Sequence, residues 1–277
     1  MKHRYTRCCL NSIAVLAAVL ILGMANSAAE NRNILDEARA SGVIRIANTQ
    51  SSPPWTYIGD DNQPAGYDVE VAKEVAKRIG VAHIQFIADS GKNFVEGLKA
   101  GKYEMVMNDM TPTPERAKQV DFSTPYGVED FRIFVHNRAA IMDLGDLTGK
   151  RVGVTTGSSN ESWARANLKS SEIVAYDNGG LVFNDLAIGR IDATISSYFG
   201  GTRYAKDRSL PIKNVGPILT YQLSAAAMPP GQPELKAAVS DAINAMIADG
   251  TIDLLAKRWV GVEYSMTEQI TKTVAEQ

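Results

Sequence analysis

The feature that most limits the fold is an alternation of short strand-like runs with amphipathic helical stretches, which fills the first half of the chain, pauses, and starts again. ILDEARASG has helical spacing and VIRIAN is a β-branched run. DVEVAKEVAKRIG sets Val71, Val75 and Ile79 on one helical face and stops at Gly80. HIQFIA, NFVEGLKAG and YEMVMN continue as strand, helix and strand. Such an order implies parallel strands with helices packed on the sheet faces. After FRIFVHN the pattern restarts: RVGVTT, EIVAY, ATISS and TYQLSAAAM as strands, with NESWARANL, LVFNDLAIG and SYFGGTRYAKD as the helices between them. PELKAAVSDAINAMIADG carries Leu235, Val239, Ile243 and Met246 on one stripe, and TIDLLAKRWVG ends the series. No sequence repeat relates the halves. Two α/β units predict two lobes with a crevice, and ligands of open α/β sheets bind beyond the carboxyl ends of the strands. That rule selects residues 49–55, 109–116 and 157–161 and the end of ATISS.

The first 30 residues stand outside this pattern. Lys2, Arg4 and Arg7 precede a 15-residue, mostly apolar run from Leu10 to Met24, and Ser27, Ala28 and Ala29 follow. This is the layout of a cleaved signal peptide, residues 1–29, and the run is short of the ~20 residues that a membrane span needs. Both cysteines, Cys8 and Cys9, leave with it. The exported chain is therefore expected to have no disulfide, no thiol nucleophile, no thiolate metal site and no lipid-bearing cysteine. Without those three cations, acids outnumber bases by about 5 (31 against 29 − 3). That balance disfavours nucleic acid or an anionic membrane surface as partner.

The most specific stretch is NDMTPTPERAKQVDFSTPY, from Asn108 to Tyr126. Arg116 lies five residues after Thr111, and its planar fork of donors matches a carboxylate in two parallel charge-assisted bonds. The plainer alternative is an arginine tied to Glu115 or Asp121. In the second half, Gly157, Ser158, Ser159 and Asn160 open a helix, where unpaired amides carry partial positive charge and attract anions. They also serve as ordinary caps.

Five motifs in order, GYDVEVAKEVAKRIG, TPTPERAKQVDFSTPY, RVGVTTGSS, GRIDA and the closing PELKAAVSDAINAMIADGTIDLLAKRWVG, resemble the family 3 solute-binding proteins of ABC importers, the polar amino acid type. The resemblance runs from Ile34 to Gly261. It implies the two-lobe type II periplasmic-binding-protein fold, α/β in each lobe, joined by two hinge strands at FRIFVHN and TYQLSAAAM. Lobe 1 is then 30–134 with 224–277, and lobe 2 is 135–223. It further implies a periplasmic, mostly monomeric receptor that hands a small carboxylate solute to a membrane permease, without cofactor or metal. His83 and His136, with no acidic or cysteine partner at ligand spacing, agree with the last point. By the same resemblance Arg116 holds the solute carboxylate, Thr111 contacts the solute, and the turn at Gly157–Asn160 grips the anion from the opposite lobe.

Departures from the family pattern are equally informative. The acids that usually pair a ligand's ammonium fall at Thr49 and Ser197, and the usual aromatic platforms at Ser52 and Gly91. A buried ammonium without a partner costs several kcal/mol. Either the solute lacks an ordinary α-ammonium, or another acid serves it. Asp109 is the candidate, with internal pairing to Arg116 or turn capping as the alternative; Asn108 is a polar cleft residue or a backbone anchor. Asp68 is expected as a helix N-cap, Glu161 as a first-turn acid, and Trp55, Tyr126 and Trp259 as packing residues. Two other functions fit the scaffold. GSSNESWARANL is similar to cyclohexadienyl dehydratases, but ISSYFGG has no carboxylate for the general acid and YGVEDF no lysine, which leaves Glu129 and Asp130 as the nearby acids. A sensory protein would dock its closed form on a receptor instead of a permease.

Overall fold

The computed structural model describes residues 33–261 and 265–276. The signal peptide expected at 1–29, with Cys8 and Cys9, lies outside those residues.

Helix α1 (Ile34–Ser41) begins where the Asn33 side chain accepts the Asp36 N–H and ends at left-handed Gly42, the cap residues such a helix uses. Strand β1 (Val43–Asn48) follows, then a small antiparallel sheet of β2 (Ser51–Ser52), β3 (Thr56–Ile58) and β4 (Pro64–Ala65) that the alternation did not reveal. Next come α2 (Tyr67–Arg78), β5 (His83–Ala88), α3 (Phe94–Lys99), β6 (Met105–Val106) and the one-turn α4 (Pro114–Ala117). The long β7 (Asp121–His136) leads to β8 (Arg151–Thr155), α5 (Ser159–Asn167), β9 (Glu172–Tyr176), α6 (Gly179–Ala187), β10 (Ala193–Ser197) and α7 (Tyr198–Asp207). The equally long β11 (Ile212–Met228) returns, before α8 (Pro233–Ala248), α9 (Thr251–Trp259) and α10 (Met266–Glu276). The last helix was not expected from the sequence.

One sheet runs through the molecule in the order β5-β1-β6-β11-β7-β10-β8-β9. At one end β1 pairs in parallel with β5 and β6; at the other β8 pairs in parallel with β9 and β10. In the middle β7 and β11 pair antiparallel from Ile212 opposite His136 to Met228 opposite Asp121. FRIFVHN and TYQLSAAAM are thus pieces of longer strands: pairing extends back to Asp121 on one and, beyond an irregular stretch at 216–219, through Ile212–Val215 on the other. YEMVMN, in contrast, keeps only two strand residues: after pairing Ile46 with Met105 and Ala47 with Val106 the chain turns, and Asp109 takes φ +48.

Two apolar cores flank the crossing strands. Ile44, Ile46, Val71, Val75 and the whole stripe Leu235, Val239, Ile243 and Met246 are fully buried in one. Ile133, Val135, Leu147, Val152, Ala193 and Ile195 form the other. Each such aliphatic side chain contributes about 1.5–3 kcal/mol on burial, which fixes the ends of β1, β6, β8 and β10 at the crevice.

Candidate ligand-binding site

Between the two parallel portions of the sheet lies a cavity of about 500 Å³, within the size range of ligand pockets. Its walls include the segments that the strand-end rule selects, together with residues 88–94 from the end of β5 and 177–179 after β9, which it did not select. Of the sequence candidates, Thr49, Ser52, Asn108, Asp109, Arg116, Gly157, Ser158, Ser159, Asn160 and Ser197 line it, as does Gly91; Thr111 does not. Its Oγ1 lies 3.0 Å from Gln222 Oε1 and 3.3 Å from Ser159 Oγ, so Thr111 ties the α4 turn to β11 and to the first residue of α5. Thr111 thus bridges the α4 turn, β11 and α5 beside the lining residues.

Local structure aims each group. Thr113 caps α4 by accepting the Arg116 N–H, and Pro114 fits the first helical position, where no donor is needed. The Arg116 guanidinium then donates to the carbonyl of Thr111 at 2.8 Å and, across the crevice, to that of Gly157 at 2.8 Å. Two of its five donors are engaged, which leaves three uncommitted on a residue that lines the cavity. Neither Glu115 nor Asp121 pairs with it.

Across the crevice, β8 ends at Thr155 and the chain turns through Gly157, φ +75. A Cβ there would sit 2.9 Å from the Lys92 Cα, so both the left-handed turn and the closeness of the facing segment call for glycine. Ser158 caps α5 by accepting the Glu161 N–H. Glu161 reaches back to take the Gly157 N–H at 2.7 Å and pairs with Arg165, confirming its structural role. Ser159 and Asn160 retain backbone N–H groups without partners at the positive end of the helix. The Asn160 side chain donates to the Ile195 carbonyl at 3.2 Å, so only its backbone is available.

The positions where the resemblance implies an acid and an aromatic, Thr49 and Ser52, hold a hydroxyl network. Thr49 Oγ1 shares hydrogen bonds with Ser52 Oγ and Thr56 Oγ1, while Asn108 Oδ1 accepts from the Thr49 N–H and from Thr56. Asn108 is thus an anchor for the first loop as well as a lining residue. Aromatic surface comes from elsewhere: Phe94, Phe131, Phe183 and Tyr204 line the cavity, the last two stacked at 5.2 Å. Trp55 borders the cavity yet is 3% exposed and meets Tyr67 edge-on, so its packing role holds.

Asp68 is not an N-cap. Helix α2 is capped by Gly66, and the N–H groups of Tyr67 and Asp68 donate to the carbonyls of Pro54 and Trp55. The Asp68 side chain has no donor left to serve, and it is completely buried beside Tyr126 and Asp109. Burial raises its carboxyl well above the ordinary range, and the charge of Asp109 adds to the effect. Asp109 Oδ1 accepts from the Ser224 hydroxyl. Burial pushes Asp109 up too, opposed by hydrogen bonds from Glu129 and Ser224 and by the Arg116 charge. Glu129, 2% exposed, is raised well above the carboxylate range by burial and then by Asp109. Sequence reasoning named Glu129 only as a candidate enzymatic acid. The signal it carried was an acid amid buried strand residues, in YGVEDFRIF.

Among the described residues, no group of three or more His, Cys, Asp or Glu is placed to hold a metal ion, and no helix is long and apolar enough to cross a membrane. Residues 44–262 match the model of the bacterial extracellular solute-binding proteins, family 3. The chain belongs to that family. It is 30% identical over 253 residues to the L-cystine-binding protein TcyJ of Escherichia coli strain K12, a match covering 91% of this chain and 95% of TcyJ. An ancestral arginine-binding protein bound to arginine superimposes with TM-score 0.75 at 31% identity, over 79% of this chain and 98% of that one. The ancestral amino acid-binding protein AncCDT-1, described as a precursor of cyclohexadienyl dehydratase, gives TM-score 0.76 at 30% identity, over 83% of this chain and all of the other. The fold is that of these amino acid-binding structures, and the protein is a solute-binding protein, not an enzyme.

Proposed function

We propose that the protein is the periplasmic receptor of an ABC importer and captures an amino acid or a close derivative by its carboxylate between two closing lobes. The lobes are 30–134 with 224–277 and 135–223, so that β7 and β11 carry the chain between them. The solute carboxylate bonds donors that Arg116 has left free and the N–H groups of Ser159 and Asn160, and Thr111 holds those two supports at a fixed spacing. Export through the signal peptide at 1–29, delivery to a membrane permease and a monomeric state complete the reading. It draws on relatives named for cystine, arginine and histidine binding and for ABC transport.

The observation that carries it is the convergence of one guanidinium from α4 and two unpartnered backbone donors from α5 on a single cavity. An anion contacted from both sides stabilises the closed form through contacts the open form lacks. The Arg116→Ala variant, titrated calorimetrically with the amino acid that stabilises the wild type most, should fold normally and lose about 2 kcal/mol or more of binding, roughly 30-fold. Unchanged affinity would remove Arg116 from the site.

A further inference from the structure

The cavity has a second charged region, opposite in sign to the first. Glu129 lines the cavity, is 2% exposed, and its Oε1 is buried without a hydrogen-bond partner. Such an oxygen costs free energy unless something meets it. Asp109 lines the same wall, aimed by its left-handed backbone and by the Ser224 hydroxyl. We propose that Asp109 and Glu129 together form a subsite for the positively charged group of the solute, an ammonium or guanidinium. The proposal rests on the receptor reading above and assigns the other end of the solute.

Topology supports the assignment. Ser197, at the end of β10, pairs with Phe131 of the adjacent β7, and Glu129 lies two residues from Phe131 on the same face of that strand. The Ser197 hydroxyl interacts with Glu129. Glu129 thus places a carboxyl one strand over from the Ser197 hydroxyl. At the first loop, the hydroxyls of Thr49, Ser52 and Thr56 bond one another and Asn108, so they offer no charge. The protein's own charge does not balance the pair. Asp68 from α2 faces it with a further carboxyl, Tyr126 adds a hydroxyl from β7, and Ser224 and Ser197 add two more from β11 and β10. Among the described residues, the one cation facing the group is Arg116, which already bonds two carbonyls. A site with this excess of carboxyl groups holds a proton when empty and releases it to a cation.

The test compares solutes that differ only in the amine. Wild-type protein is titrated calorimetrically with L-cystine and with 3,3′-dithiodipropionate, and with L-glutamine and with glutaramate, in phosphate and in Tris at pH 7. L-Arginine is included as a solute with two cations. The expected result is that at least one amino acid binds with proton release, read as a buffer-dependent heat, and binds more tightly as pH rises from about 5 to 8, as deprotonation of acids with raised pKa requires. Glu129→Gln and Asp109→Asn should weaken that amino acid by at least about tenfold and leave the amine-free analogue within about twofold. The buffer comparison on the wild type decides the matter if a variant does not fold. Amino acid binding without proton release, or with equal loss for both members of a pair, overturns the cation subsite and leaves the receptor reading standing. Amine-free acids that bind as tightly as the amino acids do the same. Absence of binding by every member overturns both.

Discussion

The two ends of the cavity solve opposite problems by different means. At the anion end, positive charge is supplied by one side chain and by the backbone of α5, and every neighbour is arranged to free those donors: Thr113 caps α4, Ser158 caps α5, and Glu161 takes the Gly157 amide. The donors stand at a helix terminus and on a short turn, where local sequence decides geometry. At the acid end, Asp68, Asp109 and Glu129 arrive from three segments far apart in sequence, and none is aimed by a helix cap. Their closeness is a product of packing alone, and it is costly in the empty protein because like charges share a buried space. One end is built locally and relaxed; the other is built by the fold and strained until something neutralises it.

That contrast can be broken or sharpened in order of expected effect. Arg116→Ala should lower the affinity for amino acids and for their amine-free analogues alike, by about 2 kcal/mol or more each in calorimetry. Selective loss of one class would mean that the two ends are not independent. Gly157→Ala should weaken binding by about 1–2 kcal/mol, since the new Cβ needs a left-handed backbone and meets Lys92 on the facing segment; affinity equal to wild type would show that the turn relaxes on closure.

The acid end predicts an unusual pH response of the empty protein. Acids whose folded pKa is raised bind protons more tightly folded than unfolded, so stability falls as pH rises from the ordinary carboxylate range through the raised values. Denaturant midpoints of the ligand-free protein should therefore be higher near pH 5 than near pH 8. Asp68→Asn, which keeps the shape and removes the charge, should flatten that slope and add about 1 kcal/mol at pH 8. A slope unchanged by Asp68→Asn would place the titration elsewhere. The smallest effect belongs to the rim. Lys92 and Asp177 form an exposed ion pair at 2.9 Å across the crevice, and Lys92→Ala should change affinity by less than about 1 kcal/mol, fading as salt is added.

Much of the fold was legible. Periodicity placed the helices from Tyr67, Pro233 and Thr251 and the strands VIRIAN, HIQFIA, RVGVTT, EIVAY and ATISS, because burial on one face leaves a repeating apolar pattern. The anion end was legible for a related reason: Thr113–Pro114 and Gly157–Ser158–Ser159 set their own backbone and caps within a few residues. The short β2–β4 sheet was not legible because strands of two or three residues have no period, and α10 lies beyond Gly261, where the family resemblance ends.

Other errors share a cause. Asp68 looked like a cap because sequence shows which residue precedes a helical run but not that Gly66 lets the carbonyls of Pro54 and Trp55 close on the helix start. The spacing of Thr111 from Arg116 is visible in the sequence, whereas Gln222 and Ser159, which take its hydroxyl, are 111 and 48 residues away. Glu129 was visible as an acid in an apolar strand, but its partner could not be.

The sequence by itself determined the two α/β halves, the family pattern, the guanidinium and the helix start that faces it, since each depends on residues within one or two turns of chain. Only the tertiary structure decided that Ser224, 115 residues on, meets Asp109, that Glu129 stands beside Ser197, and that Asp68 completes the group. The reason is physical: a cap or a turn is fixed by bonds that close over three or four residues, whereas the environment of a buried carboxyl depends on which distant strands the packed sheet sets side by side.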